Sequence, residues 1–205
     1  RQMCIRDRYL LCGILPWGFF SQVTNLGMNA LLSNASLVRK VAFARETLVI
    51  SQVIFCFVQW SIEMLLLAVA LIIAGSPIIP WLPVAVLLMV CLAVYAAGFA
   101  PALSAAAVFF RDLRYLWSIL VQVMFFATPI IYTPDRLEGK LPAVIDFIFT
   151  WNPMAVFILT FRHMLYGGAA PNWGEMLYVV VVSVAVFIVG WAIFSRLSRR
   201  VAEEL

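Results

Sequence analysis

Long apolar runs are the feature that most limits what this chain can fold into. Of its 205 residues, 65% are hydrophobic and 12% are charged, whereas soluble domains are close to half apolar. A helix needs roughly 20 apolar residues to cross about 30 Å of hydrocarbon, and a segment in lipid must satisfy its own backbone hydrogen bonds. The sequence therefore predicts an all-α, polytopic membrane protein, with a single domain over residues 9–205.

The apolar runs predict about five full spans, over residues 9–32, 48–74, 84–110, 116–132 and 176–194. The run 143–165 is also apolar, but Asn152-Pro153 interrupts it. If it crossed fully, the basic C-terminal tail would lie on the opposite side from the basic segments 39–45 and 111–114, against the positive-inside rule. We therefore expect 143–165 to be a re-entrant pair of half-helices and the C-terminus to be cytoplasmic.

The first eight residues do not fit the pattern that follows. They read RQMCIRDR, which is charged and lacks the apolar region of a cleaved signal peptide. We expect residues 1–8 to be a spurious or unstructured leader.

The sequence lacks three common motifs for ATP binding, zinc binding and nucleophilic catalysis. It contains no G-x-x-x-x-G-K-[ST] phosphate loop, no H-E-x-x-H zinc motif and no G-x-S-x-G nucleophile elbow. Its four cysteines form no C-x-x-C pair, and it has a single histidine. We therefore expect no catalytic residue, no metal and no cofactor in this chain. The net charge of +4 indicates cytoplasmic loops of a membrane protein, and not a nucleic-acid partner.

Glu63 is the one acidic residue inside a predicted span. A carboxylate near the middle of a bilayer costs at least ~2.5–3.5 kcal/mol. Two interpretations stay open. Glu63 is a packing residue that is neutral or hydrogen-bonded within the helix bundle, or it faces a polar path between the helices.

Residues 33–47 are polar and basic. Asn34 or Ser36 could cap a short helix, and Leu37 and Val41 would then share one face. The pattern predicts a short amphipathic helix at the membrane surface. A plain positive-inside loop is the alternative.

A second charged segment, Arg111, Asp112 and Arg114, stands between two predicted spans. It is either a salt-bridged cytoplasmic turn or a turn that transmits motion from a cytoplasmic partner to the adjacent helices.

Aromatic side chains are concentrated late in the chain, at Trp117, Phe125, Phe126, Tyr132, Phe147, Phe149 and Trp151. They could bind the faces of sugar rings, or they could form interfacial belts and bundle core.

Several motifs in order resemble a known family. They are GILPW at 13–17, Asn34 with RKVAF at 39–43, VFFRDLR at 108–114, ATPIIY at 127–132, WNPM at 151–154, and Arg162. Their order and spacing are similar to those of the membrane (permease) subunit of type 2 ABC exporters, in the branch that exports polysaccharide such as O-antigen or teichoic acid.

This resemblance implies six spans, a homodimer of the permease, and a cytoplasmic ABC ATPase partner that holds ATP and Mg. The substrate would be a lipid-linked glycan or polyol-phosphate polymer. The ATPase-coupling residues would be Asn34, Leu37, Val38, Arg39, Lys40, Val41, Phe43, Arg111, Asp112 and Arg114. The gate and translocation path would involve Phe125, Phe126, Pro129, Tyr132, Trp151, Asn152, Pro153 and Glu63.

The chain also departs from the family pattern. Family members begin with a cytoplasmic amphipathic helix and an additional span, so the resemblance implies that this sequence is truncated at its N-terminus. Ala44-Arg45 stands where many relatives carry a proline. Two alternatives are a type 2 ABC drug or lipid exporter and a membrane enzyme or assembly factor acting on lipid-linked sugars.

Overall fold

A computed structural model describes residues 2–34, 46–76, 78–110, 112–131 and 152–204. Within these ranges the chain forms six α-helices and no strand. The helices are α1 (Gln2–Ser33), α2 (Glu46–Ile73), α3 (Leu82–Phe109), α4 (Leu113–Ala127), α5 (Pro153–Leu165) and α6 (Trp173–Glu204), with a 3₁₀ turn, Ile79–Trp81, before α3. The predicted all-α class of polytopic membrane protein is confirmed.

Three segments of the described chain are long and apolar enough to cross a membrane: Glu46–Ile73, Ile79–Phe109 and Trp173–Ser198. The helix α1 is also long, at 32 residues, but it is less apolar in composition. The helices α4 and α5 have 15 and 13 residues. At 1.5 Å per residue each is shorter than the ~30 Å hydrocarbon core. The number of full spans therefore stays a prediction.

Helix boundaries differ from the predicted spans by more than three residues at three places. The helix α6 continues to Glu204, ten residues beyond the predicted end at 194. The helix α1 begins at Gln2, so residues 2–8 of the predicted spurious or unstructured leader are helical; whether the leader is spurious stays a prediction. The helix α4 ends at Ala127, well before residue 132, and Thr128 is extended. The physical reason is Pro129, because a proline disfavours the helical region for the residue that precedes it.

The predicted break at Asn152-Pro153 coincides with the start of α5. Asn152 is extended and accepts a hydrogen bond from the Met154 N–H, and Pro153 occupies the first turn. Proline suits that position because its missing N–H would have no partner there. The preceding residues 132–151 lie outside the described residues, so the re-entrant pair stays a prediction.

Glycines allow α3 to approach its neighbours closely. A Cβ on Gly98 would lie 2.6 Å from the Val186 carbonyl oxygen of α6, and a Cβ on Gly190 would collide with the backbone of Gly98. On the other side, a Cβ on Gly27 of α1 would lie 2.6 Å from the Ala100 Cβ. Small residues let helix backbones meet in membranes, so α3 is the central helix against which α1 and α6 lie.

Aromatic rings fill the core between α1, α3 and α5. Phe20 of α1 contacts Tyr95 and Phe99 of α3, at centroid distances of 5.7 and 5.6 Å, and Tyr95 contacts Phe157 of α5 at 5.7 Å. Because Phe20 meets Tyr95 and Gly27 meets Ala100, α1 and α3 run parallel. Their C-terminal ends therefore lie at the same end of the bundle.

The close approach at Gly98 predicts a measurable stability difference between two glycine variants. G98A should destabilise the protein by about 1–3 kcal/mol, the typical cost of overpacking. G18A is the matched control, because a Cβ there meets no atom within 4 Å. Replacing a helical glycine should stabilise by up to ~1 kcal/mol. Thermal unfolding in detergent measures both, and equal midpoints would contradict the packing described here.

Candidate functional site

Arg162 is the most constrained charged side chain of the described residues. It lies on α5 and is only 3% exposed. Its Nη1 donates to the Pro129 carbonyl oxygen at 2.5 Å, and its Nη2 donates to the Ile130 carbonyl oxygen. The guanidinium therefore joins α5 to the backbone segment that follows α4.

The same guanidinium also contacts α1. Arg162 Nε donates to the Tyr9 carbonyl oxygen at 3.3 Å, and Nη1 donates to the Tyr9 hydroxyl at 3.0 Å. Its Cζ lies 3.9 Å from the centroid of the Tyr9 ring, which is a cation–π distance. A Cβ on Gly13 would lie 2.6 Å from Nη2, so α1 has glycine where the guanidinium crosses it. We call Arg162 with Tyr9, Gly13, Pro129 and Ile130 the Arg162 junction.

A second link joins the end of α4 to the start of α5. The Asn152 Nδ2 donates to Thr128 Oγ1 at 3.1 Å, and the Thr128 hydroxyl donates to the Met124 carbonyl oxygen at 2.8 Å. Asn152 Oδ1 also caps α5 through the Met154 N–H at 3.0 Å. One amide thus caps a helix and ties it to its neighbour, and three predicted gate residues, Pro129, Asn152 and Pro153, come together here.

The predicted aromatic gate residues have different surroundings. Phe125 is half-buried, and its ring lies 5.9 Å from that of Trp17 on α1. Phe126 is 63% exposed and its ring lies 5.5 Å from that of Phe125. Tyr132 and Trp151 lie outside the described residues, so their predicted role stays a prediction.

Loops beside the Arg162 junction are tied to helix ends. The Trp81 indole N–H donates to the Gly168 carbonyl oxygen at 3.0 Å. Thr160 of α5 donates to Glu175 of α6 at 3.3 Å. The turns before α3 and α6 are therefore fixed at the same end of the bundle as the junction.

A row of hydrogen-bonded polar side chains connects α1 to α2. Gln22 Nε2 donates to Gln59 Oε1 at 3.1 Å, and Gln59 Nε2 donates to Glu63 Oε1 at 3.3 Å. Glu63 is half-buried and Gln59 is exposed. Glu63 is therefore hydrogen-bonded, as one of its two interpretations expects; a role in a path stays a prediction.

The opposite end of the bundle holds the predicted coupling residues that are described. Asn34 follows α1, and its Nδ2 donates to the Ala30 carbonyl oxygen at 2.9 Å. Asp112 and Arg114 are exposed at the start of α4. Since α1 and α3 run parallel, Asn34 lies at the same end of the bundle as Asp112. Leu37, Val38, Arg39, Lys40, Val41, Phe43 and Arg111 lie outside the described residues.

Sequence reasoning assigned no partners to Arg162. The signal available was an arginine inside an apolar run, since intramembrane ionisable residues are commonly functional. Tyr9 and Gly13 gave no such signal, because a tyrosine at a span edge and a glycine within a span are ordinary features of membrane helices.

Comparison with known proteins finds related permeases along almost the whole chain. Two proteins of Klebsiella pneumoniae, each named O-antigen export system permease protein RfbA, are 27% identical over 198 residues, covering 96% of this chain and 74% of theirs. A protein of the same name from Myxococcus xanthus is 24% identical over 200 residues, covering 96% of this chain and 75% of its own. No family model matches the sequence. The resemblance to polysaccharide-export permeases is confirmed.

The Arg162 junction predicts a site-specific loss of stability. R162M leaves the Pro129 and Ile130 carbonyls without their donor, and each buried unsatisfied group costs about 1–3 kcal/mol. R196M is the control, because Arg196 is an exposed arginine of α6 and its replacement should change stability by less than ~0.5 kcal/mol. Thermal unfolding in detergent compares them, and an R162M midpoint equal to that of R196M would refute the junction.

Proposed function

We propose that this chain is the permease subunit of an ATP-driven exporter that moves a lipid-linked polysaccharide outward across the cytoplasmic membrane. The observation that carries the proposal is the similarity to O-antigen export permeases over 96% of the chain. The arrangement of the described residues supports it, because Pro129, Asn152 and Pro153 lie at one end of the bundle, and Asn34, Asp112 and Arg114 lie at the other.

In this proposal the chain is a transport subunit and not an enzyme. The sequence has no phosphate-binding loop, so ATP and Mg would bind to a separate cytoplasmic ABC ATPase. Two copies of the permease would form a homodimer, and the polymer would pass between them. The membrane-crossing helices of this chain would form half of that path.

Coupling to the ATPase would occur at the end of the bundle where α1 and α3 finish. The segments 34–46 and 111–115 connect helices there and are rich in basic residues, which favours a cytoplasmic position. Closure of the two ATPases would push on both segments. The exposed Asp112 and Arg114 are available for such a contact, and the C-terminus would lie on the same side.

The gate would lie at the Arg162 junction. Three separate chain segments meet there: α1, the segment after α4, and the last turn of α5, which carries Arg162. The start of α5 is tied to the end of α4 by the link between Asn152 and Thr128. A displacement of α1 would act on the other two through the guanidinium. Phe125, Phe126, Tyr132 and Trp151 would provide aromatic surface along the same exit.

Co-purification tests the proposal directly. The full-length native protein, tagged and isolated from its own membrane, should carry an ATPase at equal stoichiometry. Replacing Leu37, Val38 and Val41 together with alanine should reduce the bound ATPase at least about tenfold, since a few apolar anchors dominate most interfaces. Alanine at Ile54, Val58 and Ile62 is the matched control, because these exposed residues lie eight or more positions along α2 from its first residue, Glu46.

Two results would contradict the proposal. One is the absence of any ATPase from an intact, correctly folded membrane preparation. The other is turnover of lipid-linked sugar by the purified chain alone, which would make the protein an enzyme.

A further inference from the structure

One face of α1 is polar although the helix lies among apolar neighbours. Gln22, Asn25, Asn29 and Ser33 follow one another at helical spacings of three and four residues, so they share a face. Gly18 lies on the same face, and a Cβ there would meet no atom within 4 Å. Gly18 and Ser33 are exposed, and Gln22, Asn25 and Asn29 are partly buried among the described residues. The polar face extends for roughly 16 Å from Gln22 to Ser33 at 1.5 Å per residue.

The hydrogen bonds of this face have a fixed direction. Asn25 Nδ2 donates to the Ser21 carbonyl oxygen at 2.7 Å, and Asn29 Nδ2 donates to the Asn25 carbonyl oxygen at 2.8 Å. A backbone carbonyl can only accept, so the amide nitrogens must be the atoms that face the helix. Both Oδ1 atoms are left as acceptors, and neither has a donor among the residues that the structure describes.

The row of hydrogen bonds that connects α1 to α2 also ends in an acceptor. Gln22 donates to Gln59, and Gln59 donates to Glu63, so the last member is a carboxyl group that accepts. Residues 9–34 and 46–76 contain no lysine or arginine. Within residues 9–34 and 46–76, the face therefore offers several acceptors and no cation.

Such a face needs an occupant that donates hydrogen bonds. Lipid tails cannot donate, and an unsatisfied polar group in hydrocarbon costs several kcal/mol. A sugar chain carries many hydroxyl donors. A polyol-phosphate chain carries a negative charge at each phosphate, which would face acceptors and a carboxyl group without a positive partner.

We propose that this acceptor stripe, formed by Gln22, Asn25, Asn29, Ser33, Gln59 and Glu63, binds the hydroxyl groups of the exported polymer and selects a glycan without backbone phosphate. The inference rests on the proposed function and narrows its substrate class. Asn25 and Asn29 accept from passing sugars, and the weak, repeated character of these bonds lets the polymer slide.

Photochemical capture tests what occupies the stripe. A photoreactive phenylalanine analogue replaces Gly18 in the full-length exporter, with its ATPase, in its native membrane during export. A matched probe at Leu65, which is 63% exposed on another face of α2, is the control. The expected result is a polymer adduct at position 18 that is at least about tenfold stronger than at position 65.

The chemistry of the adduct separates the two polymer classes. Hydrogen fluoride cleaves phosphodiesters, so an adduct of unchanged length after treatment supports the proposal, whereas fragmentation into short pieces overturns it. Adducts with another segment of the same full-length chain, or between two copies of the chain, would show that the stripe is covered by protein, and adducts with lipid alone would show that it faces the bilayer. Both results also overturn the proposal.

Point variants give a second, independent readout. N25L with N29L removes both acceptors, and the export rate should fall about tenfold because each net hydrogen bond contributes a severalfold factor. T24V is the matched control: Thr24 makes the same kind of bond to the Phe20 carbonyl oxygen at 2.9 Å, but it is fully buried, so export should change less than twofold.

ATPase binding distinguishes the two proposals. If the double variant loses export but still carries its ATPase, the acceptor stripe is supported within a working exporter. If export is unchanged in the double variant while the ATPase is bound, the stripe proposal fails and the exporter proposal stands. If no ATPase is bound even in the unmodified protein, the exporter proposal itself fails, and the stripe proposal, which rests on it, fails with it.

Discussion

The buried guanidinium of Arg162 allows the chain to leave helical structure between α4 and α5. The helix α4 ends at Ala127, so the carbonyls of Pro129 and Ile130 have no place in a helical hydrogen-bond ladder. Where the backbone is irregular inside a membrane protein, its N–H and C=O groups must form hydrogen bonds with other protein groups. Arg162 supplies donors to both carbonyls, and those carbonyls in turn solvate its charge. The irregular segment and the arginine therefore stabilise one another.

The helix α1 takes part in three polar features of the bundle. It contacts the Arg162 junction through Tyr9 and Gly13, carries the α1 part of the acceptor stripe in its second half, and ends at Ser33, immediately before Asn34. It is one continuous helix of 32 residues. Pro16 removes one backbone hydrogen bond within it, and the chain stays helical on both sides, so α1 links the two ends of the bundle with one bending point. This continuity gives the proposed coupling between the two ends a physical basis.

Sequence patterns predicted the fold class and some boundaries but not the junction. Long apolar runs fix the helical class because lipid permits few alternatives, and Asn152-Pro153 marks the start of α5 because both residues favour a helix N-terminus. The partners of Arg162 are two backbone carbonyls and a tyrosine more than 150 residues away along the chain. Carbonyls exist at every residue and have no sequence signature, so only packing could reveal which of them the guanidinium reaches.

The Arg162 junction and the acceptor stripe differ in whether their polar groups have hydrogen-bond partners within the protein. At the Arg162 junction, four hydrogen bonds from the guanidinium have acceptors within the protein, which makes a seam that holds chain segments together. Along the acceptor stripe, Asn25 and Asn29 each donate an amide N–H to a backbone carbonyl of α1, and each Oδ1 is left as an acceptor. An open acceptor in a low-dielectric setting is costly until something donates to it. The same energetic rule therefore favours a structural role for the first region and supports the proposed binding role of the second.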